Sequence, residues 1–181
     1  MDCRLGSLCR QMNGRLESQC KDTKNKSMAE KKNAISYESI MKDLKARKFA
    51  PVYVLMGDEP FYIDKICDYI AENVLQPEER DFNQTVLFGA DTTAVQVVDQ
   101  CKGYPMMAEF RVVIVKEAQN LKSLDALEKY LEKPVKSTIL VICNKNGSID
   151  RRKKFIPRAE QVGVVFESKK LYDRQLPGFI E

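Results

Sequence analysis

The chain has 181 residues, 44% of them hydrophobic and 31% charged, with a formal net charge of +4, which suits one well-cored domain and excludes two large ones. The mildly basic balance permits nucleic-acid contact without requiring it; no run reaches the ~18 apolar residues of a membrane span and no apolar signal core opens the chain, so a cytoplasmic protein with no membrane partner is expected. Histidine is absent, which removes the usual general base and excludes hydrolysis through a Ser-His or Cys-His pair.

Residues 1–33 are polar and lack sustained periodicity, and they read as a flexible leader. Met28 opens Met-Ala-Glu-Lys-Lys as a candidate initiator, which would make 1–27 a non-native extension. Three of the six cysteines, Cys3, Cys9 and Cys20, fall in this leader. The other three, Cys67, Cys101 and Cys143, sit within apolar patterns as reduced core residues, and no C-x-x-C spacing exists, so no metal or other cofactor is expected.

The main domain is expected over 34–169. Ser36 can cap a helix with Tyr37, Ile40, Met41 and Leu44 on one face, running to about Lys48. Pro51 introduces a short strand, Val52–Met56, ended by Gly57, and a second helix follows Pro60 with Ile63, Ile66, Cys67, Ile70 and Val74 aligned. A strand at Thr85–Phe88 and a helix from Thr93 to Lys102 come next. Gly103 and Pro105 then break the helical pattern, and Met106 and Met107 lie at the change of direction.

Two readings of these methionines stand. Both can be gap-filling core residues, which composition favours. Alternatively they form an apolar plug for a partner's pocket, contributing about 1.5 to 3 kcal/mol per buried side chain. Two such side chains fall short of the ~8 kcal/mol of a micromolar complex, so neighbouring surface has to contribute.

Val112, Val113, Ile114 and Val115 form a continuous β-branched run, expected to be a central strand covered on both faces. Leu121, Leu124, Leu127 and Leu131 predict an amphipathic helix ended by Pro134, and Thr138–Cys143 another buried strand. A basic, weakly helical segment over 151–161 precedes a last strand at Val164–Phe166. Residues 170–181 read as the truncated start of a second (lid) domain. The fold class is therefore α/β: a five-stranded, mostly parallel sheet with helices on both faces.

In sheets of this type the loop after the first strand binds phosphate through Gly-x-x-x-x-Gly-Lys-Ser/Thr. Here Gly57-Asp58-Glu59-Pro60-Phe61-Tyr62-Ile63-Asp64-Lys65 keeps only the first glycine, adds two repelling carboxylates and loses an amide donor at Pro60. The strand 111–115 is followed by Lys116 and a lone Glu117, a poor Mg²⁺ site. A P-loop NTPase-like scaffold with a degenerate nucleotide site is therefore expected.

Pro51-Val-Tyr-Val-Leu-Met-Gly-Asp-Glu-Pro-Phe-Tyr-Ile-Asp64, Asp81-Phe82-Asn83, the segment Pro105-Met-Met-Ala-Glu-Phe-Arg-Val-Val-Ile-Val115 and Lys170-Leu-Tyr-Asp-Arg-Gln-Leu-Pro177 together resemble the bacterial DNA polymerase III delta subunits over about 37–181. The resemblance implies that 34–169 is an AAA+-like clamp-binding domain, in a clamp-loader subunit without a catalytic site of its own. Such a subunit binds and helps open the beta sliding clamp, beside the gamma/tau and delta prime subunits and primer-template DNA. Any nucleotidyltransferase label would belong to the whole polymerase complex. It implies that Met106 and Met107 enter the clamp's hydrophobic pocket, with Tyr104, Pro105 and Phe110 as candidate support, and so reverses the order of the two methionine readings. Met107 and Phe110 depart from the family, which often has phenylalanine at the first of these positions and a basic residue at the second. Arg151, Arg152, Lys153 and Lys154 are either a solvated face or a contact for DNA or neighbouring subunits. A phosphate- or nucleotide-handling α/β enzyme with a non-standard loop is the alternative, and a nucleic-acid-binding module a third.

Overall fold

The computed structural model describes residues 35–145, 147, 149 and 154–168. The expectations placed on the leader, on Arg151 to Lys153 and on 170–181 lie outside the described residues.

Helix α1 (Tyr37–Lys45) starts as its sequence dictates, with the Ser39 amide donating to Ser36 Oγ at 3.2 Å. It ends before the expected Lys48 because Arg47 takes a left-handed conformation (φ 55°) that no helix continues. Strand β1 (Val52–Gly57) is buried throughout, and α2 (Pro60–Asn73) lays Ile63, Ile66, Cys67 and Ile70 on the sheet. A helix absent from the sequence reading follows, α3 (Pro77–Asn83). Its signal is a proline in the first turn with Glu79 three residues after Gln76, where the Gln76 amide donates to Glu79 Oε2 at 3.0 Å.

Strand β2 (Gln84–Phe88) leads to α4 (Ala94–Lys102), whose capping box joins Thr93 and Gln96 in both directions at 2.9 and 3.4 Å. Strand β3 (Arg111–Lys116) and a 3-10 turn (Ala118–Asn120) precede α5 (Asp125–Glu132). The expected leucine helix therefore begins late. Leu121 and Leu124 lie before it, and Leu121 is buried as the cap of the 3-10 turn. Strand β4 (Thr138–Lys145), α6 (Phe155–Val162) and β5 (Val164–Ser168) complete the fold.

All strand pairings are parallel, in the order β2-β3-β4-β1-β5. The 112–115 run is an interior strand, as its burial on both faces requires, but the middle of the sheet is β4. Alternate residues feed two cores. Val54, Met56, Val113 and Ile142 face α4, α5 and α6, whereas Leu55, Ile114, Val141 and Cys143 face α1 and α2. Helices thus cover both faces, and the run of β-branched residues exists because neither face meets water. Cys67, Cys101 and Cys143 are buried free thiols, and burial pushes Cys101 up to about 12. Among the described residues no helix is long and apolar enough to cross a membrane.

Candidate protein-binding site

Parallel pairing puts every loop that enters a strand at one end of the sheet and every loop that leaves at the other. Residues 103–110 enter β3, and Asn83 directly precedes its neighbour β2, so both lie at the entry end. The loop is anchored on each side. Thr138 Oγ1 donates to the Cys101 carbonyl at 2.9 Å, and the Arg111 guanidinium donates to Gln100 Oε1 at 2.7 Å and packs on Gly103.

Its centre is held by Asn83. The Met106 amide donates to Asn83 Oδ1 at 2.6 Å, and Asn83 Nδ2 donates to the carbonyls of Met106 at 2.8 Å and Glu79 at 3.0 Å. The next residue, Met107, takes a left-handed conformation (φ 54°) that costs roughly 1 to 2 kcal/mol for a side-chain-bearing residue. Hydrogen bonding of the preceding peptide offsets that cost.

The result is an apolar tip in water. Met107 is 100% exposed, Met106 61% and Tyr104 84%, while Asn83 beneath them is 0% exposed. Phe82, next to Asn83 on α3, is 65% exposed and adds apolar surface at the same end of the sheet. The core-filling reading of the methionines is thereby set aside. Pro105 is half-buried. Phe110 turns the other way, half-buried against the α1–α2 core with its ring edge-on to Phe49 at 5.7 Å. Sequence reasoning quoted Asp81-Phe82-Asn83 without giving Phe82 or Asn83 a role. A buried asparagine at a helix end is the signal it lacked, and that signal appears only once α3 is placed.

The leaving end of the sheet holds the loop after β1. Two of its amides are already bonded, Gly57 N–H to the Gly147 carbonyl and Asp58 N–H to the Ser168 carbonyl, both at 3.1 Å. Lys145 Nζ, at the end of β4, lies 2.7 Å from Asp64 Oδ1 on α2. The Asp64 hydrogen bond holds Lys145 protonated above its ordinary range. The pair's contribution is therefore complete at pH 7 and fades as pH climbs past the usual lysine range toward the folded-state value. Because both side chains are partly solvated, Asp64→Asn should cost no more than about 1 kcal/mol in urea unfolding at neutral pH. Above the pH at which folded Lys145 titrates, the difference between the two proteins should vanish.

Of the four basic residues proposed for DNA or subunit contact, Lys154 alone is described, exposed at the start of α6. Arg158 on the same helix is committed internally, 3.1 Å from Glu128 and 2.9 Å from Glu132.

A parallel α/β domain, presenting an apolar tip at the end of the sheet opposite the loop after β1, is the class defined by this fold and surface. A family model for the DNA polymerase III delta subunit matches residues 53–169. The chain belongs to that family. It is similar to the Bacillus subtilis DNA polymerase III subunit delta, at 27% identity over 150 residues, 77% of this chain and 43% of that protein. A solved structure of the Bacillus subtilis DNA clamp loader delta protein matches with a TM-score of 0.70 at 26% identity, over 77% of this chain and 44% of its own. The chain thus spans less than half the length of these relatives.

Proposed function

We propose that this chain is the clamp-binding part of a clamp-loader subunit, without a catalytic site of its own, that grips the beta sliding clamp and helps open it for loading onto primed DNA. The observation that carries this reading is the Met106–Met107 tip, exposed to water and held by hydrogen bonds, in a member of the delta family. An unbranched, polarizable side chain adapts to a pocket it does not perfectly match. Insertion into a hydrophobic pocket removes the tip from water, and Tyr104 and Phe82 supply flanking apolar surface that two methionines alone lack. The loop after β1 is degenerate as a phosphate cradle, since its carboxylates repel anions and two of its amides are spent on carbonyls. ATP hydrolysis then falls to the gamma/tau subunits, with delta prime completing the loader around the primer-template.

Two titrations test the reading together. The 181-residue chain should bind the sliding clamp in surface plasmon resonance and give no heat with Mg-ATP in calorimetry. Saturable ATP binding without clamp binding would instead favour the nucleotide-handling enzyme.

A further inference from the structure

We propose that Asn83 is the positioning residue of the clamp-binding tip, a latch at the end of α3 that holds the Met106 peptide in the conformation from which Met106 and Met107 project. This inference rests on the clamp-binding reading above and adds to it the part of the molecule that sets the tip's geometry.

A carboxamide side chain carries one acceptor and a pair of donors in the plane of an amide, and so can pair with a backbone N–H and C=O as a neighbouring strand would. Asn83 does this with a single residue, accepting from Met106 N–H at 2.6 Å and donating to Met106 C=O at 2.8 Å. The remaining donor hydrogen goes to Glu79 C=O at 3.0 Å, which fixes the carboxamide to its own helix. The side chain is 0% exposed, so water cannot readily replace these bonds. Sequence separation makes the contact informative: the partners are 23 positions apart, and β2–β3 pairing brings them together.

The tip has little else to hold it. Met107 is fully exposed and left-handed, a conformation uncommon for a residue with a side chain. Without the latch, the segment between Gly103 and Phe110 is free to sample other conformations, and a partner must then select the competent one. Apparent affinity falls by the fraction of time the tip spends in that geometry.

The experiment compares the full chain with Asn83→Ala and Asn83→Ser, alongside Met106→Ala/Met107→Ala and Ile156→Val, a mild core destabilisation remote from the tip. Hydrogen exchange of the Met106 amide is followed by NMR, and clamp affinity by surface plasmon resonance below every melting transition. In both Asn83 variants the Met106 amide should exchange at least tenfold faster, and clamp affinity should drop about tenfold or more with both methionines intact. Ile156→Val should change neither. If Asn83→Ala does not fold, the milder serine variant decides. Unchanged Met106 exchange would overturn the latch. So would wild-type affinity in the Asn83 variants when the double methionine variant has lost binding. A double methionine variant that binds like wild type would move the clamp contact away from the methionine tip and overturn the latch as a determinant of binding, and Met106 exchange would then report only whether Asn83 orders the loop.

Discussion

Replacing Met106 and Met107 together by alanine should weaken binding to the sliding clamp by at least about 100-fold and leave the fold intact. The two side chains are exposed in the free chain, so their removal costs the native core nothing, and thermal stability should stay within about 0.5 kcal/mol of wild type. In the complex each methionine contributes about 1.5 to 3 kcal/mol by leaving water, and alanine retains only a small part of that. A combined loss of about 3 kcal/mol corresponds to a little over two decades in Kd. Met107, with more surface to bury, should account for the larger share in the single variants. Surface plasmon resonance gives the affinities, and circular dichroism melts give the control. Binding that survives the double substitution would move the contact to Tyr104, Phe82 or another surface; a collapsed fold would return the methionines to a structural role.

Gly57→Ala should be the most destabilising substitution at the leaving end of the sheet, by about 3 kcal/mol or more. At φ 139° the backbone conformation is one that L side chains rarely adopt, and a β-carbon would stand 2.0 Å from the Ser168 carbonyl oxygen. That oxygen is backbone, fixed at the end of β5 and already accepting from the Asp58 amide, so it cannot step aside. Either the β1–β5 pairing opens or the loop after β1 is displaced. Gly147 separates the two causes, because it also has a positive φ (154°) but nothing lies within 4 Å of its hypothetical β-carbon. Gly147→Ala should therefore cost roughly 1 kcal/mol, from backbone strain alone. Urea unfolding of both variants checks the difference. Equal losses would mean that the approach of Ser168 is not tight in solution.

The two substitutions probe opposite ends of the sheet, and the ends were legible to different degrees. At the leaving end, the mismatch to a phosphate-binding pattern could be read from Asp58, Glu59 and Pro60, because a phosphate cradle needs glycines and free amides in a fixed local order. What could not be read is where the Gly57 and Asp58 amides go, since their acceptors, Gly147 and Ser168, lie far along the chain. At the entry end, Gly103 and Pro105 marked the break and the family resemblance singled out Met106 and Met107. Composition alone pointed those residues toward the core. Their exposure depends on α3, a seven-residue helix with no long apolar period, and on Asn83, whose role exists only when β2 lies beside β3. Phe110 illustrates the same limit, since an aromatic residue near an apolar tip looks like part of it until Phe49 is found against its ring.

By itself the sequence determined the α/β class, the five strands, the starts of α1, α2 and α4, and the absence of a Gly-x-x-x-x-Gly-Lys-Ser/Thr pattern after the first strand. Each rests on local chemistry: β-branched runs, capping hydroxyls at Ser36 and Thr93, and residue types within a few positions of one another. Only the tertiary structure decided the strand order, the inward turn of Phe110, the occupied amides after β1 and the Asn83 latch under an exposed methionine pair. Those depend on contacts between residues 23 to more than 100 positions apart, which chain folding brings together and local pattern does not encode.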